Sequence, residues 1–304
     1  MFFEEYLQDL RRERFSPPAL IHYARRAAAE LRGHMDANPG AVRSIWSIAL
    51  GFFAIAFIAA SIMAITYDRQ LAYDFFLGVS LAILPAFGLV TLHVGLLRNR
   101  DGFRLSALNL PITLTLLRVV LVPALTLFLV ERHFLLALAT FALAELTDVA
   151  DGWIARRTGQ VTTLGTVLDP LVDIVFNLSV FAALAVSGLL PAWVAWVAVA
   201  RYALLLVGGA CMYLFVGPLR IQPTLFGRMT GVVMAALVAF LTLLHVPNGP
   251  LPESLTPLTE IALGVLLSAT VAQVLILGWY NLRIMTGRVE APGRVVGDVR
   301  WGAQ

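Results

Sequence analysis

Apolar residues run along this chain in stretches too long for one face of a soluble helix. Eight runs stand out, at 45–66, 72–97, 110–130, 134–155, 166–187, 191–215, 228–246 and 259–281. A helix needs about 20 mostly apolar residues to cross the hydrocarbon core, so each run predicts a membrane span. Turn residues separate them, as at Ser187-Gly188 and Pro247-Asn248-Gly249-Pro250. Residues 18–35 follow another pattern, with Leu20, Ile21, Ala24, Ala27, Ala28 and Leu31 at helical spacing and Arg25, Arg26 and Arg32 elsewhere. That pattern predicts an amphipathic helix lying on the membrane surface. The expected architecture is therefore all-α, a polytopic membrane helix bundle. Its N-terminal segment is 1–44, two spans fill 45–97, six spans fill 105–285, and 286–304 form a tail.

Composition agrees. Only 13% of the 304 residues are charged and 59% are hydrophobic, against about 25% charged in soluble domains. All 22 basic residues are arginine, and their placement orients the chain. With the N-terminus inside, eighteen arginines fall in cytoplasmic segments and only Arg69 and Arg132 fall outside. Both termini are expected in the cytoplasm, most naturally of a bacterial inner membrane. Trp46, Tyr67, Trp279 and Tyr280 lie near span ends as interface anchors. The start, Met1-Phe2-Phe3-Glu4-Glu5, is unlike a cleaved signal peptide. The five histidines show no metal-ligand spacing, the single Cys211 permits no intrachain disulfide, and no basic patch with interleaved aromatics suggests nucleic acid.

Four aspartates interrupt the apolar pattern. Asp148 and Asp151 lie near the inner end of the fourth span, and Asp169 and Asp173 near the inner start of the fifth. At about 1.5 Å per residue, Asp148 is roughly 12 Å from Arg156 and Asp173 roughly 12 Å from Gly165. The pairs thus reach similar depths on antiparallel helices. Asp148, Asp151, Gly152 and Ala155 share one helical face, as do Gly165, Asp169 and Asp173. Converging carboxylates repel unless cations neutralise them, and oxygen-only ligands suit Mg²⁺ or Mn²⁺. Two such ions can clamp a diphosphate. Gly152, Ala155 and Gly165 leave space for a nucleotide on the same faces. Acids in a span are expensive and usually functional. A cation or proton transporter is the alternative of another class, but it gives the Gly, Ala and Arg positions no role.

The stretch Asp148-x-x-Asp151-Gly152-x-x-Ala155-Arg156, eight residues, then Gly165-x-x-x-Asp169-x-x-x-Asp173 resembles the signature of the CDP-alcohol phosphatidyltransferases at all eight positions. The resemblance covers roughly 105–285 and implies a six-helix core preceded by two extra transmembrane helices. It implies Mg²⁺-dependent transfer of a phosphatidyl group from CDP-diacylglycerol to an alcohol with release of CMP. By the same resemblance Asp148, Asp151, Asp169 and Asp173 hold two metal ions and Asp173 is the base. Thr115, Gly152, Ala155, Arg156, Thr162 and Gly165 are expected at the CDP-lipid, and a homodimer is expected.

Within the family the wording is nearest the phosphatidylglycerophosphate synthase branch, through Arg156-Arg157-Thr158-Gly159-Gln160-Val161-Thr162, Leu168-Asp169-Pro170-Leu171, Asn109-Leu110-Pro111, Arg201 and Gly227-Arg228. Glycerol 3-phosphate is therefore the first expected acceptor, with inositol phosphate, serine, choline or another alcohol as alternatives. Arg118, Arg201, Arg220 and Arg228 are candidates for holding an acceptor phosphate, which a forked guanidinium suits. Tyr202, Gly209, Ile174 and Ile112 depart from that branch's pattern. The acid site is intact while the acceptor side is altered. Arg201 falls mid-span, where a charge needs a partner; Glu145, one turn deeper than Asp148, is the candidate for it or for Arg118.

Overall fold

The computed structural model describes residues 17–211 and 225–285. They form an all-α, polytopic membrane bundle; among the described residues the only extended pairings are isolated bridges, Arg98 with Arg104 and Asn99 with Thr162. Among the described residues there are nine α-helices: α1 (Pro17–Asp36), α2 (Pro39–Thr66), α3 (Arg69–Leu92), α4 (Leu110–Val130), α5 (Phe134–Thr158), α6 (Thr163–Val186), α7 (Ala192–Ala203), α8 (Leu225–Leu244) and α9 (Thr256–Met285). Each matches an expected element within a few residues. α7 continues through a π-helical stretch, Leu204–Gly208, to Cys211.

The helices start where the sequence supplies caps. Asn38, Asp68, Asn109 and Thr162 each accept a hydrogen bond from the backbone N–H groups of the first turn of α2, α3, α4 and α6. Pro39 and Pro111 occupy the first turns of α2 and α4, where a missing N–H costs nothing. Gly159 ends α5 in the left-handed region at φ 68°, which glycine adopts without a Cβ penalty.

Among the described residues, six helices are long and apolar enough to cross a membrane: α2, α3, α4, α6, the extended α7 and α9. Two expected spans fall short on that measure. α5 carries Glu145, Asp148 and Asp151 close together, and the apolar stretch of α8, Met229–Leu244, is shorter. Both nevertheless belong to the core. α4, α5, α8, α9, α7 and α6 contact one another in that cyclic order, with α6 returning to α4. α3 packs on the outside of α4, and α2 packs on α3.

Burial follows this order. Half of the most apolar window of α4 is buried, against 17% for α2, so α4 is the central helix and α2 faces lipid. Lipid supplies no hydrophobic drive between helices, so close packing must hold them. Phe75 stacks on Phe128 to join α3 to α4, and Phe141 stacks on Phe176 to join α5 to α6. A Cβ at Gly78 would lie 3.2 Å from Pro123, which shows how closely α3 approaches α4.

One end of the bundle gathers the α1–α2 elbow, the 93–109 connection and the α5–α6 loop. Asn38 Nδ2 donates to the Leu105 carbonyl (2.8 Å), the Leu108 N–H donates to Ser44 Oγ (3.2 Å), and the Thr163 N–H donates to the Arg98 carbonyl (3.0 Å). Asn109 Nδ2 donates to the Gln160 carbonyl (2.7 Å), joining α4 to the same loop. Arg43, Arg98, Arg100, Arg104, Arg156 and Arg157 all belong to this end. At the opposite end Tyr67 meets His133, and Arg132 donates to the Ser187 carbonyl (3.3 Å).

Candidate active site

The four aspartates converge, as their spacing predicts, and a third helix organises them. Thr115 and Arg118 stand three residues apart on α4 and so share a face. Arg118 NH2 donates to Asp151 Oδ2 (2.9 Å) and also pairs with Asp148, while NH1 pairs with Asp173. Thr115 Oγ1 lies 3.1 Å from Asp151 Oδ2 and 3.2 Å from Asp169 Oδ1. All four acids thus belong to one network spanning α4, α5 and α6. Arg118 and Thr115 are 2% and 1% exposed, whereas the side chains of Asp148 and Asp173 are about half exposed. The acids open outward from a buried cationic floor.

Two expectations change here. Arg118, expected among the acceptor-binding arginines, has both terminal nitrogens engaged by carboxylates. Thr115, expected at the CDP-lipid, lies beneath Asp151 and Asp169. The reason is common to both: the face of α4 that carries them packs between α5 and α6.

Among the described residues, no three acids, histidines or cysteines are drawn together as a ready-made cage for a metal ion. Arg118 holds the carboxylates by one oxygen each. The donor set is nonetheless oxygen only, and four carboxylates against one guanidinium leave a formal excess of three negative charges. That chemistry fits a hard divalent cation.

Glu145 forms no ion pair among the described residues. Its expected partners are taken otherwise, Arg118 by the three aspartates and Arg201 by its neighbour. Arg201 NH1 donates to the Tyr202 hydroxyl (2.9 Å), its guanidinium lies 4.9 Å from the Tyr202 ring centroid, and NH1 reaches Met234 Sδ on α8 at 3.7 Å. Arg201 Nε is buried without a partner. Tyr202 is only 4% exposed. The side chain of Arg228 and all of Arg220 lie outside the described residues.

The other signature positions form the approach to the acids. The space at Gly152 is filled by Arg156, whose NH1 would lie 3.0 Å from a Cβ there. The expected nucleotide room at Gly152 is thus covered by the signature's own arginine, four residues on along the helix. Ala155 is partly exposed. Thr162 Oγ1 accepts from the Gly165 N–H (3.0 Å), and a Cβ at Gly165 would lie 3.2 Å from that oxygen. Thr162 and Asn109 line a cavity of about 490 Å³ with Asn99, Gly159, Gln160 and apolar residues of 105–110. It lies one to two helical turns, roughly 10 Å, above Asp169 and Thr115. Asn99 and Gln160 were not singled out from sequence, because only the pairing of the 93–109 connection with the α5–α6 loop brings them there.

Comparison with known proteins agrees with this geometry. The model of the family described as CDP-alcohol phosphatidyltransferase matches residues 108–282, which is α4 to α9. The chain belongs to the CDP-alcohol phosphatidyltransferase family. It is 35% identical over 99 residues to human cardiolipin synthase (CMP-forming), covering 32% of this chain and 33% of that protein. It is 28% identical over 157 residues to the CDP-diacylglycerol–glycerol-3-phosphate 3-phosphatidyltransferase of Aquifex aeolicus, covering 51% and 86%. It is 41% identical over 92 residues to a probable phosphatidylglycerophosphate synthase of Mycobacterium tuberculosis, covering 28% and 44%. The matches to human and Drosophila cardiolipin synthases span about a third to a half of those proteins. α2 and α3 lie outside the family match.

Proposed function

We propose that this protein transfers a phosphatidyl group from CDP-diacylglycerol to the hydroxyl of a polar alcohol and releases CMP. The single observation that carries the reading is the convergence of the eight-position signature on one outward-opening acid site within the family match. The transporter alternative falls away, because that pattern has a use in this chemistry and none in ion passage.

In the proposed reaction the acceptor oxygen attacks the lipid-side phosphorus. The bond from that phosphorus to the bridging oxygen breaks, and CMP leaves with the electron pair. Asp173 takes the hydroxyl proton: Oδ1 is held by Arg118, and Oδ2 has no hydrogen bond among the described residues. A base must reach the acceptor and stay ionised, and the half-exposed carboxylate beside Arg118 meets both needs. Asp148, Asp151, Asp169 and Asp173 would hold Mg²⁺ or Mn²⁺, which supplies charge neutralisation at the diphosphate. Thr162, Gly165, Gly152, Ala155 and Arg156 border the CDP-lipid on the loop side. For this site Arg156 swings off Gly152, which a long side chain at a helix end does readily. Catalysis here is mainly positioning and charge stabilisation.

The acceptor proposed first is glycerol 3-phosphate, with Arg201, Arg220 and Arg228 as candidates for holding its phosphate. The names of the relatives favour a second reading. Cardiolipin carries two phosphatidyl groups on one glycerol, so a CMP-forming synthesis takes the glycerol headgroup of phosphatidylglycerol as acceptor. Both acceptors present a glycerol hydroxyl with a phosphate nearby. The arginine-rich end of the bundle is placed in the cytoplasm on the distribution of charge, and a homodimer is proposed from the resemblance alone. The test is CMP release by the purified protein with CDP-diacylglycerol, Mg²⁺ and each of glycerol 3-phosphate, phosphatidylglycerol, inositol phosphate, serine and choline. Release with one acceptor and its loss on chelation is the expected result; no release with any of them overturns the reading.

A further inference from the structure

The guanidinium at the floor of the acid site has a position that acceptor binding does not explain. Arg118 is 2% exposed, bonds one oxygen from each of Asp148, Asp151 and Asp173, and its Nε has no partner among the described residues. A buried arginine with a free nitrogen would not be chosen for packing alone, since an unsatisfied polar atom is costly. Its geometry matches a different task. The planar fork presents separate donors to α5 and α6 from a fixed point on α4. Without it four carboxylates from two helices would face one another across a low-dielectric interior, and their repulsion would drive α5 from α6.

We infer that Arg118 is a resident counter-ion that keeps the acid site assembled when no divalent cation is bound, and that it does so in competition with the cation. The inference rests on the proposed divalent-cation role of the four aspartates. The competition follows from charge and from oxygen count. Arg118 occupies Asp148 Oδ1, Asp151 Oδ2 and Asp173 Oδ1. An arriving cation meets a like charge and a set of carboxylates already partly engaged. Arg118 therefore offsets the repulsion among the aspartates and weakens cation binding, which keeps the ion exchangeable and the helices in register between turnovers. It is a positioning residue, acting through the aspartates.

The test separates this from an ordinary core contact. Wild type, Arg118→Met and Arg118→Lys are purified in detergent. Thermal unfolding is followed in EDTA and in saturating Mg²⁺, and Mn²⁺ affinity is measured by electron paramagnetic resonance. Breaking a buried charge pair from one side, in a chain of this size, should lower the unfolding temperature of Arg118→Met in EDTA by roughly 10 °C. Mg²⁺ should restore more than half of that loss, and Mn²⁺ should bind about tenfold tighter than to wild type. Arg118→Lys keeps the charge without the fork and should fall between the two; it carries the test if Arg118→Met does not accumulate. Equal losses with and without Mg²⁺, together with unchanged Mn²⁺ affinity, overturn the inference and leave the proposed function standing. Failure of wild type to bind Mn²⁺ at all overturns the cation role of the aspartates and this inference with it.

Discussion

Replacing Thr115 by valine removes one hydroxyl and leaves shape nearly unchanged. That hydroxyl has a single proton and three acceptors in reach: Asp151 Oδ2 at 3.1 Å, Asp169 Oδ1 at 3.2 Å and the Pro111 carbonyl at 3.1 Å. For Asp169 it is the one donor among the described residues. Valine opens no cavity, so the cost is the lost bond to a charged group, about 1.5–3 kcal/mol. In a chain of this size that corresponds to a fall of roughly 3–12 °C in unfolding temperature in cation-free buffer. Loss of an outer partner of a ligating carboxylate should also reduce CMP release by about 10–100-fold. Thr115→Ser is the control: it keeps the hydroxyl and loses one methyl, worth about 0.8 kcal/mol, and should retain transfer. The assay is CMP release over a Mg²⁺ titration, paired with thermal unfolding of both variants. Equal behaviour of valine and serine in both measurements would refute the role assigned to the hydroxyl.

Three further outcomes follow from the same geometry. Asp173→Asn should bring CMP release to background while the helical circular dichroism and elution volume stay those of wild type; substantial turnover would remove Asp173 as the base. Asn109→Ala loses both the α4 cap and the bond to the Gln160 carbonyl; it should cost about 1–2 kcal/mol by thermal unfolding, and an unchanged transition would show that the α4 to α5–α6 link contributes nothing. Gly264→Ala would set a Cβ 2.1 Å from the Trp193 ring, where α9 meets α7. A rigid indole cannot yield at its tip, so the variant should lose about 1–3 kcal/mol, read as a lower unfolding temperature with Mg²⁺ dependence preserved.

The helix boundaries and the reaction class were legible because they are local. Spans follow from apolar run length, and Asn38, Asp68, Asn109 and Thr162 mark starts through side chains that reach only their own first turn. The two acid pairs could be matched in depth by counting residues from Arg156 and Gly165 along helices of known rise. Glu145 shows the limit of such counting. It lies one turn from Asp148 on the sequence, yet among the described residues it has no ion pair, because Arg118 is engaged by three aspartates.

What the chain alone determines is thus which segments form the long apolar helices and which eight residues carry the signature. Tertiary structure decides which face of α4 enters the gap between α5 and α6. That rotation makes Arg118 and Thr115 a floor under the aspartates. It also brings Asn99 to the cavity at Thr162. Run length and spacing describe each helix about its own axis. The meeting of one helix with another depends on packing among residues far apart in the chain, and a single sequence does not encode that relation at any fixed spacing.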